Sequence, residues 1–240
     1  MSIPFFIWML LSAGRIVSIP AGETKAAYNQ SYSIIIKGSL AGTEKVTETT
    51  QKDGSLIAIA EHDILISDGI ETKRMAFTTT MQLAKGSLAP IRYSYKYTLG
   101  ESPDFYDINV KDGQITRILS RGGRTIETTF PSQPGMVILD FSVYHQYDYL
   151  VRKYDFKKQG RQSFPNFIPI LGTELPVILT YEGNGKFEYP KGSIPVRNFK
   201  VEYTGLWSAS LSTDSDGRLV HLVAPTQELE VVRTDLMPKE

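Results

Sequence analysis

DFSVYHQYDYLVRKYDFKKQG, Asp140 to Gly160, is the stretch that decides the fold. It is the one long segment with a helical period. Val143, Tyr144, Tyr147, Leu150, Val151 and Tyr154 recur at the i, i+3, i+4, i+7 spacing of a single helix face. Asp140 stands where an N-cap carboxylate can accept a free first-turn N–H. Arg152, Lys153, Lys157 and Lys158 crowd the other end, where cations complement the helix dipole. Gly160 is a natural stop. The spacing predicts one amphipathic helix over about 140–158.

Outward from that helix, the chain reads as strand and turn. Tyr32, Ile34 and Ile36 alternate within Tyr28–Leu40, and Ala41-Gly42-Thr43 reads as the turn into 44–51. Tyr93, Tyr95 and Tyr97 alternate, as do Tyr106, Ile108 and Val110, then Ile126, Thr128 and Phe130. Beyond the helix come Val177, Leu179 and Tyr181, then Phe199, Val201 and Tyr203. Leu219–Val223 and Glu228–Val232 form a last pair. Asp53-Gly54, Asp68-Gly69, Asp112-Gly113, Asn184-Gly185 and Asp216-Gly217 each supply the positive φ of a hairpin turn. The count is on the order of eleven strands, too many to stay flat. The expected fold is mainly β: a single curved antiparallel sheet, a half-barrel, with the helix covering its concave face.

Two connections interrupt the pattern. Pro131-Ser-Gln-Pro134-Gly135 ends the first strand set, because proline cannot donate to a ladder. FPNFIPILGTELP, Phe164 to Pro176, carries Phe164, Phe167, Ile168, Ile170 and Leu171 among three prolines. It reads as an irregular apolar loop, and such a loop must cover something or bind something.

Composition narrows the function. Lys plus Arg and Asp plus Glu number 26 each, so no basic excess points to nucleic acid. No cysteine is present, which excludes disulfides, thiol catalysis and cysteine metal sites. Ile3–Leu11, IPFFIWMLL, is too short to span a bilayer and suits the apolar region of a secretory signal over 1–22. The other reading of that run is an N-terminal strand or a buried anchor. Residues 23–240 are expected to form one domain.

A search for chemistry finds little. His62, His145 and His221 lie far apart in sequence and show no ligand spacing, so they read as hydrogen-bonded or partly exposed side chains. G-x-S-x-G does not occur. Gly122-Gly123 between Arg121 and Arg124 reads as a hairpin loop, since a strand follows it. Asp104 with Asp107, and Asp214 with Asp216, read as turn residues. No catalytic residue, metal ligand or cofactor is assigned, and an enzyme is not expected. The apolar material is the better lead. Tyr144, Tyr147, Leu150, Val151 and Tyr154 of the helix, with Phe164, Phe167, Ile168 and Leu171 of the loop, either belong to the core or line an apolar pocket against the sheet.

Four pieces carry a resemblance: the hairpin entry GSLAGTE (Gly38–Glu44), the helix start DFSVYH, the strand pair LWSASLSTDSDGRLVHL (Leu206–Leu222) and the closing ELEVVR (Glu228–Arg233). Together they resemble bacterial cell-envelope proteins of unknown function whose fold is similar to the Lol-type lipoprotein carriers. That resemblance implies an antiparallel half-barrel around a helical lid, a periplasmic or secreted location, and a cavity for a lipid-like or other hydrophobic ligand such as an acyl chain. The expected function is a non-catalytic envelope binding protein. A structural or protein-interaction domain of the envelope, with an envelope protein as partner, is the alternative, and a hydrolase ranks last.

Overall fold

The computed structural model describes residues 25–67, 71–99, 102–203 and 205–238. The expected signal segment 1–22 and the Asp68-Gly69 turn lie outside these residues. Eight strands come first: β1 (Lys25–Ile36), β2 (Ser39–Thr50), β3 (Leu56–Ser67), β4 (Thr72–Leu83), β5 (Pro90–Leu99), β6 (Ser102–Lys111), β7 (Gln114–Arg121) and β8 (Arg124–Pro131). A middle region follows: β9 (Val137–Ile138), the helix α1 (Gln146–Arg152), β10 (Arg161–Phe164), β11 (Asn166–Ile168) and β12 (Thr173–Glu174). Five strands finish the chain: β13 (Val177–Tyr189), β14 (Gly192–Tyr203), β15 (Trp207–Thr213), β16 (Leu219–Ala224) and β17 (Leu229–Arg233).

Fourteen of these strands form one antiparallel sheet, in the order β10-β13-β14-β15-β16-β17-β1-β2-β3-β4-β5-β6-β7-β8. The expected eleven is therefore an undercount. The sheet does not close, since β8 and β10 are its free edges. It nonetheless curls, because residues 164–170 reach both ends. Phe167 packs on Phe130 of β8 with ring centroids 5.2 Å apart, and Arg117 of β7 donates to Pro169 O at 2.7 Å. On the other side, Asn166 Nδ2 lies 3.3 Å from the Tyr203 hydroxyl of β14.

The hairpin turns largely follow the dipeptide signals. Asp112 and Gly113 both have positive φ (50° and 75°) between β6 and β7, as a two-residue type I′ turn requires. Lys37-Gly38 makes the same kind of turn between β1 and β2, so the expected turn at Ala41-Gly42-Thr43 is displaced into β2. Asn184-Gly185 is a second correction. It lies within β13, opposite Arg197 and Val196, and the turn comes after Tyr189. A Cβ at Gly185 would stand 2.6 Å from Asn198 Nδ2, so the Asn198 side chain lies over the glycine.

The helix is shorter than the period suggests. It spans seven residues, not 140–158, and His145 rather than Asp140 is its N-cap. Ser142 adopts a positive φ of 61°, which breaks the helical path ahead of it. Asp140 is drawn instead to two tyrosines of the sheet. The apolar stripe still faces inward as expected: Val143, Tyr144, Tyr147, Leu150, Val151 and Tyr154 are all buried. The apolar loop is also more regular than expected. Pro165, Pro169 and Pro176 fall between or after short strands rather than inside them, and β11 joins β12 and β9 in a separate three-stranded sheet. Helix and small sheet together form a plug, and the fourteen-stranded sheet is the wall around it.

The wall's inner face is read by alternation. Glu44, Val46 and Glu48 of β2 point inward, as do Ala58, Ala60, His62 and Ile64 of β3 and Phe77, Thr79 and Met81 of β4. Most inward positions are apolar and join one core with the plug. The polar exceptions define the site.

Candidate functional site

Three polar clusters join plug and wall, each built on buried carboxylates. In the first, Glu44 of β2 accepts the backbone N–H groups of Tyr144 (2.7 Å) and His145 (2.9 Å), just ahead of α1. Its carboxylate thus satisfies backbone donors that the plug would otherwise bury without partners. The same carboxylate lies 2.6 Å from His145 Nδ1 and 3.6 Å from Nδ1 of His62, its cross-strand neighbour on β3. His62 stacks on Phe77 at 4.1 Å, and its Nε2 lies 3.3 Å from Thr79 Oγ1. Burial works against the Glu44 charge, but the two imidazoles and the hydrogen bonds outweigh it and hold the carboxyl below its usual range. Burial pushes His62 down to about 4 despite the attraction of Glu44.

The second cluster lies two inward positions further along β2, past Val46. Glu48 accepts the Tyr149 hydroxyl at 2.9 Å and pairs in two-pronged fashion with Arg218, which precedes β16. Asp148 of α1 accepts Leu219 N–H at 2.8 Å, and Arg218 reaches it at 3.4 Å. Arg218 also lies over the Tyr28 ring at 4.1 Å. Burial raises Glu48, yet the Arg218 hydrogen bond and charge win and its pKa falls. For Asp148 burial wins, lifting it to about 7 against the pull of Arg218.

In the third cluster, Asp140 accepts hydroxyls from Tyr93 of β5 (2.9 Å) and Tyr106 of β6, and its own N–H donates to Gln146 Oε1 at 2.6 Å. Burial pushes Asp140 up to about 6, although both tyrosine bonds oppose the shift.

The nine apolar residues singled out from the sequence divide unevenly. Tyr144, Tyr147, Leu150, Val151, Tyr154, Phe167 and Ile168 are buried and come together in the core beneath the wall. Phe164, on β10, is partly buried against the same core. Leu171 points away, 58% exposed, in company with Ile170 and Phe141 on the surface. The carboxylates and His62 were missed by motif spacing. A signal for them did exist, because Glu44 and Glu48 flank Val46 in phase, and His62 is in phase with Ala58, Ala60 and Ile64. A charged residue in step with the apolar face of a strand is a buried charge, and a buried charge needs a partner.

The arrangement defines a class: a β-barrel-like open sheet wrapped around a plug that is fastened by polar side chains. A solved structure has a similar fold, the crystal structure of a β-barrel-like protein of domain of unknown function DUF1849 from Brucella abortus. The two share a TM-score of 0.55 at 8% identity, covering 85% of this chain and 93% of that one. This similarity establishes the β-barrel-like fold. No family model matches the sequence, and comparison with curated proteins gives no match. No helix among the described residues is long and apolar enough to cross a membrane.

Proposed function

We propose that the protein is a non-catalytic binding protein of the cell envelope that takes a lipid-like or other hydrophobic ligand between wall and plug. One observation carries this reading. Among the described residues, no strand of the plug sheet joins the ladders of the wall; β9, β11 and β12 form a sheet of their own. The plug is attached by side-chain hydrogen bonds and apolar contact, attachments that water and an acyl chain could replace. A ladder of backbone bonds would be far harder to open without unfolding. Displacement of the plug would offer Tyr144, Tyr147, Leu150, Val151, Tyr154, Phe164, Phe167 and Ile168 as an apolar lining, with Leu171 at its rim. The likeness to Lol-type carriers and the periplasmic or secreted location belong to the same proposal. The location is supported by the apolar run Ile3–Leu11.

A fluorescent fatty acid added to the purified chain tests the reading. Saturable binding is expected, with slow uptake limited by plug opening. Tyr149→Phe removes one hydroxyl fastening to Glu48 and should speed that uptake. Absence of binding by any apolar probe, together with a lipid-free organic extract, would sink the proposal. For the location, N-terminal sequencing of exported material should give a chain starting near Glu23. A mature chain that keeps Met1 would remove the signal reading.

A further inference from the structure

We infer that Glu44, His62 and His145 form a binding site for one divalent transition-metal ion, zinc in the first instance. The inference does not depend on ligand uptake. One ligand atom from each of the three residues lies within 4.8 Å of the others, and all three side chains are buried. They come from three separate elements, β2, β3 and the residue ahead of α1, so the fold rather than a local motif assembles them. Two imidazoles and one carboxylate are a donor set suited to zinc and its neighbours, with a fourth position left for water.

Hydrogen bonding within the cluster leaves a nitrogen over. His62 Nδ1 is buried without a hydrogen-bond partner, and its side chain is fully inaccessible. His62 Nδ1 faces Glu44 Oε2 at 3.6 Å, too long for a hydrogen bond. That separation is close to the edge of a tetrahedron whose metal–ligand bonds are about 2.0–2.1 Å. The His62 ring is also held in place: Phe77 stacks on one face, and Thr79 Oγ1 meets Nε2. Such a partner on the far nitrogen is what orients a ligating histidine, which makes Thr79 a positioning residue. Glu44 is anchored in turn by the N–H groups of Tyr144 and His145. When the ion enters, His145 Nδ1 gives up its proton while Nε2 keeps or takes up one, so that a neutral imidazole binds, and the 2.6 Å contact of Nδ1 with Glu44 opens to ligand spacing. The ion would thereby tie β2 and β3 of the wall to the plug.

The test uses the purified chain, stripped with a chelator, dialysed, and titrated calorimetrically with Zn²⁺. Parallel samples with Co²⁺ are followed by visible absorption. One ion per chain is expected, with a tetrahedral Co²⁺ band and a raised Tm. His62→Gln should abolish stoichiometric binding while circular dichroism keeps the β spectrum. Thr79→Val, which leaves every ligand in place, should weaken binding by about 10–100-fold. Should His62→Gln fail to fold, the wild-type stoichiometry, the Co²⁺ band and Thr79→Val still decide. The inference is overturned if the wild type binds no stoichiometric ion. It is equally overturned if binding survives His62→Gln, or responds instead to His221→Gln at the partly exposed His221–Glu230 pair.

Discussion

Wall and plug are held by different physics. Each wall strand pairs with a strand next to it in sequence, save where β1 meets β17 and where β10 meets β13 across the short strands β11 and β12. Its bonds are backbone ladders, indifferent to which side chains stand there. Among the described residues, the plug has no ladder to the wall. Glu44, Glu48, Asp140 and Asp148 fasten it to partners mostly far away in the chain. Removing one wall side chain trims a contact, whereas removing one partner of a buried carboxylate strands a charge. The wall should therefore tolerate substitution better than the few fastenings of the plug.

The largest expected effect tests that contrast directly. Arg218→Ala leaves Glu48, 4% exposed, without its two-pronged partner and with only Arg152 at 3.8 Å, and should cost about 3–5 kcal/mol in chemical denaturation. A cost no greater than that of a surface substitution would erase the distinction between plug and wall. Next comes a matched pair of cavities. Leu150→Ala in the plug and Leu211→Ala in the wall, both essentially inaccessible, should each cost about 2–5 kcal/mol if both belong to one core. A plug that opens readily would show a markedly smaller loss for Leu150.

A smaller effect depends on pH. The Asp140 carboxyl is raised to about 6 from an ordinary 3.8, so the folded protein holds its proton more tightly than the unfolded chain. Its stabilising contribution is complete below the unfolded value and is lost as pH rises through the folded one. His62, lowered to about 4, acts with the opposite sign between its folded value and 6.5. Comparison with Asp140→Asn separates the two: from pH 5 to pH 8 the wild type should lose about 1–2 kcal/mol relative to the variant. Parallel curves would mean that the Asp140 fastening carries no titration. The smallest effect lies in the wall. Gly113→Val places a β-branched residue at a φ of 75° in open space, so only the backbone penalty of roughly 1 kcal/mol is expected. A larger loss would mean that the turn carries contacts beyond its own conformation.

The same contrast explains what the sequence could reveal. Alternation and Asp-Gly turns are local signals, and they located most wall strands: the segments around Tyr93, Tyr106, Val177 and Phe199 all lie in strands. Asn184-Gly185 misled because it is paired in register within β13, opposite Arg197 and Val196, and the turn lies beyond Tyr189. The helix was visible by period, but its length was not. Asp140 has two possible uses, and the tyrosines of β5 and β6 outcompete the helix end for it. Glu44, His62 and His145 stayed invisible as a group because their proximity exists only after β2, β3 and the plug have met. The phase of Glu44 and His62 within their strands is legible in the sequence, but phase shows that a side chain is buried, not what it meets.

The pairing of β1 with β17 has a consequence in time. Tyr32–Ile36 of the first described strand pair with Leu229–Arg233 of the last, in the interior of the sheet. The chain makes β1 through β8 as successive hairpins, but one side of β1 has no partner until nearly everything else is made. At about 5–20 residues per second, that side waits roughly 10–40 s during synthesis. An uncovered strand edge is a template for pairing with another chain. Closure over so many residues is also slow, because loop entropy is lost before the contact is gained. Until β17 arrives, that edge of β1 is the part of the sheet most open to wrong pairing.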